Sequence, residues 1–146
     1  MKKIITLLLA VFIGQLCHGQ KKKIDSAVVY KVNDLTIEFS RLMRKDLDSA
    51  EGIAREILDY SKKINHHEGI GIGYGTLGST YSVKGDVGKA IAYYIKSAKA
   101  LEASGNQRLA IITNINISAL LIEEREYKEA LKYALKAHKA ELNRAE

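Results

Sequence analysis

Several stretches of this sequence carry residue types and spacings that perform chemistry elsewhere. Gly73-x-Gly75-x-x-Gly78 satisfies the glycine pattern of a dinucleotide-binding turn. That turn works behind a β-strand, where the glycines bring pyrophosphate close to a helix N-terminus. Here His66-His67-Glu68 precedes the glycines and no β-rich run flanks them, so they fall inside a helix. Each interior Gly weakens a helix by up to ~1 kcal/mol relative to Ala. The run Gly69, Gly71, Gly73, Gly75 and Gly78 therefore reads as a place where neighbouring helices approach closely. Gly85-Asp86-Val87-Gly88-Lys89-Ala90 ends like a phosphate loop. It lacks the rest, with Val83 at the first glycine position and Ala90 where a magnesium-binding hydroxyl belongs, so it reads as a helix turn.

The histidines and polar singles give no reactive constellation either. His66 and His67 are adjacent, with no third ligand nearby in sequence, and read as a solvated loop rather than a metal site. His138 falls on the apolar side of the last helix, as a packing or interface residue. Asn116-Ile117-Ser118 is a glycosylation sequon in form, but it lies at an expected helix crossing. Lys96, Lys99, Lys132, Lys136 and Lys139 recur at matching points of successive helices, an excess that an acidic partner or anionic surface would notice. The interleaved Glu residues make a solvated face the simpler reading. The expectation is a chain with no catalytic residue, no cofactor and no metal, and not an enzyme.

The elements that would position any site begin with an address. Met1-Lys2-Lys3 is a positive start, Ile4 to Ile13 is apolar apart from Thr6, and Cys17-His18-Gly19 offers small residues at a cleavage site. Residues 1–19 read as a signal peptide and 20–24, with Lys21-Lys22-Lys23, as a basic linker. The apolar run is shorter than the roughly 20 residues a membrane span needs, so no transmembrane span remains after cleavage. The location expected is exported, periplasmic or secreted. The alternatives are an anchor left uncleaved, favoured by the cationic flank, or lipid attachment at Cys17, disfavoured by Leu16 before it. Cleavage removes the one Cys and, with it, any thiol chemistry.

The remainder, 25–146, is all-α in expectation. The chain has 146 residues, no Pro and no Trp, with 47% hydrophobic and 27% charged residues, the balance of a globular protein of helices and short turns. A net charge of +6 is too mild to indicate nucleic acid. A shift of about 40 residues lays Ala90-Ile91-Ala92-Tyr93-Tyr94 over Ala130-Leu131-Lys132-Tyr133-Ala134, and Ala90 back over Ala50. Units at about 25–66, 67–106 and 107–146 follow, each a helix pair that cannot bury its apolar face alone. The opening helix carries Val28, Val32, Leu35, Phe39 and Leu42 behind an Asp25-Ser26 cap, and its poor match marks the first unit as degenerate or capping. In the second, Lys84-Gly85-Asp86 makes the turn, with Gly as the stop and Asp as the next N-cap. Asn65-His66-His67 and Ser104-Gly105-Asn106 are the loops between units.

Tyr74-x-x-Leu77-Gly78-x-x-Tyr81 followed by Ala90-x-x-x-Tyr94 resembles the tetratricopeptide repeat, with Ile117-Ser118, Leu121, Ala130 and Ala137 as the matching positions of the last unit. The period is about 40 rather than about 34 residues, and Glu102 stands where the family has Pro, which predicts a longer second helix. The resemblance implies a right-handed superhelix of antiparallel helix pairs, an α-solenoid of about three repeats. It also implies a concave groove that receives a partner's peptide or helix. Carried over position by position, that groove is Ile72, Gly75, Thr76, Ser79, Ser82 and Val83 in the middle unit. In the last unit it is Ile112, Ile115, Asn116, Ala119, Ile122 and Glu123. The equal alternative is that these isoleucines pack between repeats. The function expected is an exported protein-binding module, with self-association through an uncapped C-terminal repeat as a further outcome. The alternative is the sensor portion of a larger bacterial signalling protein, of histidine kinase or helix-turn-helix regulator type.

Overall fold

The computed structural model describes residue 26 and residues 29–145. The signal peptide and linker readings, Cys17, Asp25 and Val28 lie outside these residues. The described residues are helical, and no strand occurs among them. Helix α1 covers 29–42. After it come α2 (Leu47–Lys63), α3 (His67–Val83), α4 (Val87–Ser104), α5 (Gln107–Glu123) and α6 (Tyr127–Ala145). From α2 onward each helix packs on the next in sequence. The contacts of α3 with α4 run Gly71 to Leu101, Gly75 to Ser97 and Gly78 to Tyr94, so the two helices are antiparallel.

Capping chemistry cuts the chain at even intervals. Asp46 accepts from the backbone N–H of Asp48 and Ser49, His66 Nδ1 from Gly69, Asp86 from Lys89, and Asn106 from Leu109. Each side chain satisfies a donor that a helix start leaves open. The residue just before each of the last three caps is left-handed: Asn65 at φ 54°, Gly85 at 79° and Gly105 at 81°. Arg125, at φ 63°, holds the same place before α6. In both later pairs the second helix is the longer one: α4 has 18 residues against 17 in α3, and α6 has 19 against 17 in α5.

Three apolar clusters run through the stack. Val32 of α1 meets Ile57 of α2, with Ile72 of α3 packed against them. Phe39, Ala50, Ala54, Leu58 and Leu77 form the second, and Ala90, Tyr94, Ala98, Ile117 and Leu120 the third. The clusters place the first helix of each later pair on the second helix of the pair before it. The glycines of α3 permit this closeness. A Cβ on Gly73 would stand 2.7 Å from Leu58 Cα, and one on Gly78 would stand 2.8 Å from the Tyr94 ring.

A polar clamp ties α2 to the end of α3. Lys84 Nζ donates to Asp48 at 2.7 Å and to Glu51 at 2.8 Å, and the Tyr81 hydroxyl donates to Glu51 at 2.9 Å. Lys84, then Arg55, hold the Glu51 carboxyl down at about 2. The Tyr81 ring stacks on Tyr93 with centroids 5.4 Å apart.

Candidate functional site

The residues expected to line one groove divide into two groups. In α3, Thr76 is buried and its hydroxyl donates to the carbonyl of Gly73 within its own helix. Ser79 Oγ lies 3.0 Å from the Tyr94 hydroxyl, and Gly75 sits under Ser97. Ile72 packs beside Val32 and Ile57. Ser82 is half-buried, and Val83 is exposed at the helix end. The middle unit thus spends most of its expected groove on internal packing.

In α5 the outcome differs. Ile115 is 52% exposed and Ile122 is 53% exposed, with Ile112, Ala119 and Glu123 also open to solvent. Asn116 is half-buried and lies near the Tyr94 hydroxyl, between α4 and α5. Ile115, Ala119 and Ile122 join Ile111 and Ser118 along one wall of an open groove of about 520 Å³. The other wall belongs to α6: Ala134, Ala137, His138 and Glu141. His138, expected as a packing or interface residue, is exposed and lines this wall. The α6 wall was missed by looking for binding residues on first helices alone. A forward shift of the buried α4 positions Tyr94, Ser97, Ala98 and Leu101 lands on it.

That shift also explains why the groove is open. Ala54 and Leu58 of α2 are buried where α3 covers them, and Tyr94 and Ala98 of α4 where α5 covers them. Ala134 and His138 hold the same register on α6 and are exposed, because no described helix follows. Tyr127, Leu131 and Leu135 add further exposed apolar surface along α6. Seen chemically, the groove is a strip of methyl and methylene groups closed at one end by the Glu141 carboxylate, which is paired with Arg144. Such a surface buries an apolar helix face and offers little to a small polar substrate.

The motifs that imitate active sites are occupied by structure. Gly73, Gly75 and Gly78 face Leu58, Ser97 and Tyr94. Asp86 caps α4 through the Lys89 N–H and pairs with Lys89 Nζ at 2.7 Å, filling the space a phosphate loop would keep free. His66 caps α3 and His67 begins it, so neither stands in a free loop. No group of His, Cys, Asp and Glu suited to a metal occurs among the described residues. In the sequon, Ile117 is buried and Ser118 Oγ donates to the Ala130 carbonyl at 2.9 Å. The lysine excess is partly neutralised: Lys136 pairs with Glu102, Lys132 with Glu129, and Lys96 lies over the rings of Tyr74 and Tyr93. Among the described residues no helix is long and apolar enough to cross a membrane.

Compared with known proteins, the chain matches no family model, no curated protein and no solved structure. The functional reading therefore rests on the geometry of this groove.

Proposed function

We propose that the chain is a protein-binding module of tetratricopeptide type, which receives a partner's apolar helix or segment in the groove between α5 and α6. The observation that carries this reading is the contrast in register. Ala54 and Leu58 on α2, and Tyr94 and Ala98 on α4, are buried under the following helix, whereas their counterparts Ala134 and His138 on α6 are exposed. A helix with an apolar face would remove Ile115, Ile122 and Ala134 from water as Leu77 and Ile117 are removed elsewhere. The even register of caps and left-handed turns supports the further proposal that the helix pairs stack as a right-handed superhelix of about three repeats. The leader-like residues 1–19 support export, which places the partner in the cell envelope or outside it.

Capture from an envelope extract on the immobilised chain tests the reading. Ile115→Lys puts a charge in the groove at an exposed position, so the fold survives and capture falls at least tenfold. Lys99→Glu, on the exposed part of α4 away from the groove, leaves capture unchanged. Equal capture by wild type and Ile115→Lys would contradict the groove as the binding surface.

A further inference from the structure

The helices that cover α2 and α4 show what kind of surface the bare groove accepts, and the same chain carries a third example of it. α3 and α5 seat on the preceding pair through a shared register position, Leu77 in one and Ile117 in the other, both 0% exposed. Leu77 enters the cluster of Ala50, Ala54 and Leu58, and Ile117 that of Ala90, Tyr94 and Ala98. α1 bears Ile37 in this register, and Ile37 is 70% exposed. Val29 and Tyr30, in register with Gly69 and Ile70 of α3, are exposed beside it. The opposite side of α1 is already used, since Val32 and Phe39 are buried against α2 and α3. Among the described residues, the last helix pair therefore shows an unpaired seat and the first helix an unpaired face of the type that fills such seats.

We infer that a second copy of this chain is an occupant of the groove. Its α1 lies between α5 and α6, as α5 lies on the α3–α4 pair, and the stack continues from one copy into the next. Ile37 of the incoming copy enters the space bounded by Ala134 and His138. This contact joins two different surfaces, so each bound copy presents a fresh groove and a fresh α1. Head-to-tail contacts of this kind give rings or open filaments rather than a closed dimer. The inference rests on the proposed role of the groove and names its occupant.

Sedimentation velocity and light scattering over a concentration series of the full chain test it. The expected result is mass that grows past the dimer with concentration. Ile37→Glu and Ile115→Glu, each at an exposed position, each hold the chain at one copy, with helical content unchanged by circular dichroism. Mixed together, the two variants retain one intact α1 and one intact groove, and form a dimer that grows no further. A wild-type chain that stays monomeric at high concentration would overturn the inference. So would a closed dimer insensitive to Ile37→Glu. The two failures are distinct: if the chain stays monomeric yet captures a different protein that Ile115→Lys releases, the groove reading stands and self-assembly falls. If neither self-association nor capture depends on Ile115, both fall.

Discussion

At the scale of single residues, the stack is held by small side chains where backbones meet and by polar ones where helices start. Gly73 lies so close to the Leu58 backbone that no rotamer change relieves an added methyl. Gly73→Ala should therefore lower stability by about 2 kcal/mol, read from urea denaturation. Gly52, with nothing within 4 Å of where a Cβ would stand, is the matched control. Gly52→Ala should raise stability by about 0.5–1 kcal/mol through helix propensity alone. His66 caps α3 where Asp46, Asp86 and Asn106 cap their helices. Asp is a stronger N-cap and also favours the positive end of the helix dipole, so His66→Asp should gain about 0.5–1 kcal/mol in thermal unfolding. The glycine run and the Asp86 cap were readable from residue type, because few other roles suit those residues, whereas Asn106, read as a loop residue, caps α5. Thr76 was misread because a Thr hydroxyl can bond its own helix backbone and then be buried. Asn116, expected in the groove, is half-buried near Tyr94 of another helix, which a single helix's pattern does not show.

At the scale of elements, the clamp between α2 and α3 gives a pH dependence with a definite sign. Lys84 first, then Arg55, draws the Glu51 carboxyl from 4.5 to about 2. The unfolded chain binds that proton more readily, so the contribution of Glu51 is complete above pH 4.5 and disappears as pH falls toward 2. Glu51→Gln should cost about 1 kcal/mol at neutral pH, and the gap from wild type should close across that acid window. A gap that persists at pH 2 would assign the cost to packing instead. The left-handed turns show both what sequence reveals and what it hides. Gly85 and Gly105 announce a positive φ, whereas Arg125 does not by residue type, since a long side chain rarely adopts it. Only its position in the repeat gives it away. Arg125→Gly should therefore stabilise the turn between α5 and α6, by about 0.5–1 kcal/mol in denaturant unfolding.

At the scale of the molecule, the all-helical architecture followed from a period of apolar residues with no proline, and so did the pairing of neighbours. The groove was only half legible. Ile115, Ala119 and Ile122 line it where the resemblance puts them, but Ala134 was not expected there, because an exposed Ala looks the same in sequence as a buried one. What distinguishes the two is whether a following helix covers the register, and that is a property of the stack. The measurement that tests this account most directly is hydrogen exchange along the chain with its captured partner bound and removed. The groove reading predicts that protection on binding concentrates in 111–122 and 131–141, with α2 unchanged. Protection confined to the tyrosine and lysine face of α3 and α4, with α6 exchanging as in the free chain, would contradict it.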